Sequence, residues 1–387
     1  MISAFNSPTS GLTHHRPTWC EIDLDAIEHN FKFLRQLVGP DVKIFACTKG
    51  NAGGCGFVGV ATFLESVGAD GIAVGNVDDA MAIRRAGGTL PILLYPSCLP
   101  MSARALAANR LMPTISTLDD VEAWSAQAHG PLEVFLKLDG GGLRVGALPV
   151  DAIHVAKAVM ASRHLRLAGV YAHPVTLGNF DTAGYYRPQI DTIVEVLKQL
   201  DAAGIVPPIR MVASSEIILS YPEVDFNAVD PGRLFTGTQF PAVKERQGEW
   251  RSAFISLKSR IVMKKPLHDL SGIAFIPDFF QRRKNMIIGL IPIGWCDGYP
   301  RSLPEGAYAL VKGERVPILG PVHSELLRID LTDVPHAEVG EEVVLLGRSG
   351  GSEITLEELG VQWNVPPGIV RHSIRAHVPR LYLRSQA

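Results

Sequence analysis

Over residues 43–235 the chain alternates between short apolar runs and longer segments of mixed polarity. That rhythm constrains its fold more than any other feature. The short runs lie at 42–47, 71–74, 91–95, 112–115, 133–138, 167–172, 209–213 and 226–230. Several are continuous apolar stretches, the pattern of parallel strands buried on both faces. Between them, segments such as 57–66, 77–86, 118–128, 152–161 and 185–203 carry helical periodicity. Three of these follow a residue suited to capping: Asn76, Thr117 and Asp151. Eight strand–helix units predict an α/β fold with an N-terminal (β/α)8 TIM-like barrel. A doubly wound open sheet is the rival, and its dinucleotide-binding form is weakened because no GxGxxG follows the first strand.

Beyond residue 249 the texture changes. Runs at 254–262, 286–292, 306–312, 315–319, 326–331 and 342–346 are strand-like, separated by Gly, Pro and Asp, which predicts a C-terminal, mainly β domain. The organisation expected is a disordered leader over 1–17, a barrel over 18–248 and the β domain over 249–387. Residues 19–24 read as a strand that is free to join the β domain, and 25–37 as a helix. The formal net charge of −2 removes the basic footprint of nucleic-acid binding. No apolar run nears the roughly 20 residues of a bilayer span. Five scattered cysteines without a CxxC pair argue against a disulfide framework or a zinc knuckle. A soluble enzyme in a reducing, cytoplasmic setting is expected, with no metal, membrane or nucleic-acid partner.

In such a barrel the reactive side chains gather at the C-terminal ends of the strands. Lys49 follows the first run in CTKGNAGGCG, and Lys137, Asp139 and Arg144 follow the fifth in LKLDGGGLRVG. His173 ends the sixth, Ser214 and Ser215 the seventh, and Asp230 the eighth in AVDPGRLFTG. A lysine near a strand end is usually solvated, but one buried near other cations can lose its proton and form a Schiff base. The glycine-rich turns let backbone N–H groups approach an anion such as phosphate.

These segments, in this order, resemble the alanine racemase family of pyridoxal 5'-phosphate (PLP) enzymes. WCEIDLDAIEHNFKFLR, TKGNAGGCG, LKLDGGGLRVG, YAHPVTLG, ASSE, VDPGRLFTG, IPIGWCDGYPR, VPILGPVHSELLRIDLTD and HVPRLYL carry the likeness, from about Trp19 to Tyr382. The resemblance implies PLP as cofactor and Lys49 as the lysine that forms the Schiff base with it and acts as one acid/base. Lys137 matches a lysine that is carbamylated in the family and orients Arg144, which contacts the cofactor's phenolic oxygen. His173 matches the histidine beside the ring, and Ser214 and the Gly232 turn match phosphate-binding positions. The bland alternatives are a solvated strand lysine at 137 and a satisfied core histidine at 173.

Three departures fall where the chemistry is done. The family's second base is a tyrosine in GYxDGY; here the segment is GWCDGYP and the position is Trp295, whose indole N–H only donates. Cys296 or Tyr299 is the nearby replacement, although Cys296 also reads as a small buried residue. Asp230 stands where the family has an arginine facing the pyridine nitrogen; a carboxylate would hold a proton there and strengthen the electron sink. The bland reading is that Asp230 caps the DPG turn. Finally, Gly53 and Gly368 replace phosphate-binding tyrosines, while Arg233, in place of an aliphatic residue, offers a charge-assisted bond to phosphate. Ser324 and Glu325 replace Met-Asp in the substrate carboxylate segment. Cys55 and Cys296 both sit inside these altered motifs.

The reading that results is a PLP-dependent amino-acid racemase of altered specificity. It would act as a homodimer, with Trp295, Ser324 and Glu325 contributed across the interface. The alternatives are a PLP enzyme of the same fold doing non-racemising chemistry at Cα, such as decarboxylation or one-face protonation, and a non-catalytic ligand-binding homologue.

Overall fold

The computed structural model describes residues 2–5, 15–175, 182–239, 246, 248–281 and 283–385. The chain divides into two compact units, one of residues 26–52 and 57–251, the other of residues 1–25, 53–56 and 252–387.

The first unit is a parallel barrel. Its strands are β1 (Lys43–Cys47), β2 (Gly71–Val74), β3 (Ile92–Leu94), β4 (111–115), β5 (Leu132–Leu138), β6 (Leu165–Ala172), β7 (Arg210–Ala213) and β8 (Ala228–Val229). β4 is split at Pro113: Leu111 and Met112 pair with β3, and Thr114 and Ile115 with β5. Proline has no N–H to give the ladder, but its carbonyl still accepts from Phe135 N at 3.0 Å. β8 pairs with β1 through Ala228–Lys43 and Val229–Ile44, so the chain itself completes the ring where it passes through Pro113. Each strand sends apolar side chains inward. Phe45, Cys47, Ala73, Leu93, Met112, Phe135, Tyr171, Met211 and Ala228, drawn from all eight strands, form one buried cluster, the packed interior expected of this fold.

Local chemistry accounts for the helices between the strands. Asn76 accepts from Asp79 N at 2.8 Å to cap Val77–Arg85. Thr117 and Asp120 form a reciprocal capping box, both bonds at 3.0 Å, ahead of Leu118–Gln127. Asp151 does not cap Ala152–Ala161. Its own backbone is already helical and its N–H donates to Leu148 O at 2.9 Å, whereas a cap needs extended geometry that poses the side chain over the first turn.

The second unit is mainly sheet. Its larger sheet runs in the order Ile2–Phe5, Arg380–Ser385, Thr18–Asp23, Phe254–Arg260, Glu342–Ser349, Tyr308–Val311, Glu314–Pro317. A smaller sheet joins Met263–Leu267, Met286–Ile291 and Leu327–Asp330. Thr18–Asp23 therefore belongs to the sheet formed by the C-terminal third of the chain. Of the leader expected over 1–17, residues 2–5 form an edge strand against 382–385, while residues 1 and 6–14 lie outside the described residues. Two short helices, Leu356–Trp363 and Pro367–Ser373, were not expected; the first opens on a Thr355–Glu358 capping box. Among the described residues no helix is long and apolar enough to cross a membrane, and all five cysteines are free.

Candidate active site

Lys49 leaves the end of β1 and enters a turn that few sequences tolerate. Gly50, Asn51 and Ala52 are all left-handed (φ 64°, 57° and 50°), at about 1–2 kcal/mol for each residue that carries a Cβ. Asn51 Oδ1 holds the turn by accepting from Phe57 N at 3.1 Å. Strain of this kind persists where the surroundings over-determine it, and it is concentrated at functional sites. The lysine Nζ stands 4.8 Å from the centroid of the Tyr95 ring, at the end of β3, a cation–π contact.

Tyr95 also reaches the far side of the barrel mouth. Its hydroxyl donates to Asp230 Oδ2 at 2.7 Å. Asp230 sits just beyond β8 with 3% of its surface exposed, anchored through its N–H to Ala213 O at 3.1 Å. Its other oxygen, Oδ1, is buried and has no hydrogen-bond partner among the described residues. Burial pushes the carboxyl up to about 7, against the Tyr95 hydrogen bond and the Lys49 and Lys137 charges, which pull it down. Asp230 is thus a carboxyl with one oxygen held and the other left for a donor.

On the opposite wall, β5 and β6 deliver Lys137, Asp139 and His173 to one small pocket that Arg144 also lines. The LDGGGLR loop is built on Asp139, whose carboxylate accepts from Gly141 N at 2.8 Å and from Leu143 N and Arg144 N at 3.1 Å each. The loop closes at Gly146, where φ is +137° and a Cβ would lie 2.6 Å from Asp139 N; only glycine fits there. Lys137 is buried, with Nζ 5.4 Å from the Tyr171 ring centroid. Burial, with Arg144 and Lys49 nearby, lowers its pKa to about 8, and Asp230 and Asp139 oppose that shift. His173 is partly buried. Burial and the positive charges of Lys49, Lys137, Arg144 and Arg233 hold it down near 3, so it is a neutral imidazole at physiological pH.

At the eighth strand's turn it is Ser215 Oγ that accepts from Gly232 N and Arg233 N, both at 3.1 Å. Ser214 is the residue before the helix Ser215–Ser220 and makes no side-chain cap bond. Gly232 is required, because a Cβ would stand 2.9 Å from Cys47 O on β1. Arg233 Nη2 lies 3.5 Å from Glu216 Oε2, which accepts from Tyr186 OH at 2.8 Å. The structure therefore brings together Lys49, Lys137, Arg144, His173 and Asp230, with Gly232 and Arg233 on the β8 turn. Tyr95 and Glu216 are added to the residues that sequence singled out, and of the two serines named there it is Ser215 that meets the turn. Tyr95 carried a signal, since it ends the third strand as Lys49 ends the first. The adjacent serines 214 and 215 did not reveal which hydroxyl faces the turn.

The remaining expected residues lie in the second unit. Asp297 is fully buried, and its carboxylate accepts from Arg16 Nη2 at 2.7 Å and from Gly294 N and His377 Nε2 at 2.8 Å each. That clamp presents Trp295, 42% exposed, with Cys296 partly exposed beside it. Trp295 N and Cys296 N donate to His323 O and Ser324 O at 3.0 and 2.9 Å. Tyr299 is buried, its ring 4.8 Å from that of Trp363; it is interior packing and not the exposed proton carrier that was one option for it. Ser324 and Glu325 line a pocket of about 710 Å³ with Arg16, His323 and Arg328. Gly368 is exposed.

Comparison with known proteins gives a consistent picture. The family model for the alanine racemase N-terminal domain matches residues 22–239, and that for the alanine racemase C-terminal domain matches 254–382. The chain is 31% identical over 371 residues to alanine racemase 1 of Caldanaerobacter subterraneus subsp. tengcongensis, covering 95% of each. To the alanine racemase of Pseudomonas taetrolens it is 33% identical over 337 residues, 86% of this chain and 91% of the other. Among solved structures, the Bacillus anthracis alanine racemase with bound L-Ala-P matches with a TM-score of 0.83 and 28% identity, covering 96% of each chain. The histidine racemase of Leuconostoc mesenteroides subsp. sake matches with a TM-score of 0.80 and 25% identity, over 96% of this chain and 100% of that one.

Proposed function

This chain belongs to the alanine racemase family, and from that premise we propose that it racemises an amino acid other than alanine, with PLP carried on Lys49. Membership makes it a PLP-dependent isomerase; the substrate, the site residues and the second proton carrier are the substance of the proposal. One observation carries it: Lys49 and a buried, half-satisfied Asp230 are joined through Tyr95 at the mouth of the barrel.

The residues present fit the cofactor. The unpartnered Oδ1 of Asp230 is an acceptor in want of a cationic N–H, which a protonated pyridine ring provides. Ser215, the backbone N–H groups of Gly232 and Arg233, and the Arg233 guanidinium would hold the phosphate; Arg144 would hold the phenolic oxygen, with His173 beside the ring. PLP, when bound, supplies an electron sink for the charge left as Cα loses its proton. Asp230 strengthens that sink by holding a proton on the ring nitrogen. Lys49 removes and returns the proton on one face of Cα.

The opposite face is where this chain differs. Trp295 cannot accept a proton, and Tyr299 is buried. Cys296, partly exposed in the same turn, is the remaining carrier, delivered with Trp295, Ser324 and Glu325 by the second copy of a homodimer. A second reading, proton exchange on one face or decarboxylation at Cα, is favoured by Trp295 itself. Glu325, beside Arg16 and His323, gives the substrate segment a charge pattern that alanine does not need.

Titrating the purified protein with PLP tests the reading. A visible absorption band should form with the wild type and be absent in Lys49→Ala. A chain that gives no band, or the same band without Lys49, would sink it.

A further inference from the structure

We infer that Tyr95 is the positioning residue of this site: its hydroxyl immobilises one oxygen of Asp230 so that the other is presented to the cofactor's ring nitrogen. The inference rests on the reading of Asp230 as the ring-nitrogen partner. Three observations converge on it. Tyr95 OH donates to Oδ2 at 2.7 Å. Oδ1 is buried without a partner among the described residues, an acceptor left open to a donor on a bound ligand. The Tyr95 ring also lies under the Lys49 ammonium at 4.8 Å, so one phenol ties the amine to the carboxyl.

The ring is fixed independently of its hydroxyl. It packs 5.9 Å from Tyr171, centroid to centroid, and Tyr171 OH lies 2.8 Å from Thr114 Oγ1, which donates in turn to Leu94 O at 2.8 Å. Tyr95 is thus a rigid lever, and Tyr95→Phe removes the phenol's polar contacts, to Asp230 and to the Cys47 thiol, while keeping the packing. The titratable groups that bear on Asp230 are Cys47 and Lys49 at the end of β1, Lys137 on β5, Tyr171 on β6 and the phenol of Tyr95 beyond β3. Burial disfavours the ionised carboxylate, and the Tyr95 hydrogen bond opposes burial. Without that bond Asp230 takes up a proton more readily and holds the proton on its ligand less well.

The test compares wild type, Tyr95→Phe, Asp230→Asn and the double variant. In the holoenzyme, nitrogen NMR of isotopically labelled PLP reads protonation of the ring nitrogen against pH. Tyr95→Phe should lower the fraction of ring nitrogen protonated at neutral pH, because the proton shared by ring nitrogen and carboxyl moves toward Asp230 when the carboxylate loses its bond. Asp230→Asn should lower it further, and the double variant should match Asp230→Asn, because Tyr95 acts only through Asp230. An unchanged fraction in Tyr95→Phe, or a double variant lower than Asp230→Asn, would overturn the inference. The cofactor-free full chain reads the same bond separately: carbon NMR of labelled aspartate should show the Asp230 midpoint rising by about one unit in Tyr95→Phe. No rise there means that Tyr95 does not hold Asp230. A rise in a chain that takes up no PLP would spare the Tyr95–Asp230 bond and defeat the cofactor reading alone.

Discussion

The hydroxyl of Tyr95 stands 2.7 Å from Oδ2 of Asp230, bridging the ends of β3 and β8. An arginine at position 230, as in the family that this chain resembles, would bring a positive charge beside the two lysines; aspartate brings the opposite sign. It sits buried between Lys49 and Lys137, whose charges favour its ionised form.

Asp230 should leave a mark on stability. Its pKa is raised from 3.8 in the unfolded chain to about 7 in the fold, so between these values the folded state binds more protons. Stability of the cofactor-free protein should therefore fall from this group as pH rises from about 4 through 7, by on the order of 4 kcal/mol at most. His173 acts in the opposite sense: its depressed pKa favours the fold as pH rises from about 3 to 6.5. Comparing wild type with Asp230→Asn isolates the first contribution. Denaturant unfolding should show the variant gaining on wild type between pH 5 and 8, and parallel profiles would contradict the burial argument.

Lys137 should react with carbon dioxide. With a pKa near 8, about half of the amine is neutral at that pH, and only the neutral form attacks carbon dioxide. At fixed carbon dioxide pressure, carbon NMR with labelled gas should show a carbamate that grows between pH 7 and 8.5 and is absent from Lys137→Arg. A carbamate indifferent to pH, or one that survives in Lys137→Arg, would mean that another amine is responsible.

On the proposed reading, Trp295 stands where a second base is missing. Trp295→Tyr restores a group able to exchange a proton, and formation of the opposite enantiomer should rise by roughly one to two orders of magnitude. The Asp297 clamp through Arg16, Gly294 and His377 does not involve the side chain at 295, so the turn should be preserved. A rate unchanged in a folded Trp295→Tyr would count against placing position 295 on that face of Cα.

The barrel was legible because burial on both sides of a parallel strand leaves an apolar run in the sequence. The runs at 42–47 and 133–138 lie within one residue of β1 and β5 at either end. Caps at Asn76 and Thr117 could be read from residue type, but Asp151 could not, since its role depended on the backbone of the preceding turn. In the site, Lys49, Lys137, Arg144 and His173 were marked by strand-end position and motif. Tyr95 shared that strand-end position, but its role was hidden because its partner is 135 residues away, a distance only the closed ring removes. Which of Ser214 and Ser215 meets the β8 turn was hidden because adjacent serines differ in direction and not in chemistry. The helices at 356–363 and 367–373 are short enough to fall between strand-like runs, although the Thr355–Glu358 box announced the first.

The most direct test of the racemase reading follows the Cα proton itself. The PLP-loaded protein is incubated in deuterium oxide with single L-amino acids, including basic ones, and the products are resolved by chirality and deuterium content. At least one L-amino acid should yield its D-enantiomer with deuterium at Cα, and Lys49→Ala should abolish this. Deuterium exchange with retention of configuration, or release of carbon dioxide without the D-enantiomer, would contradict it.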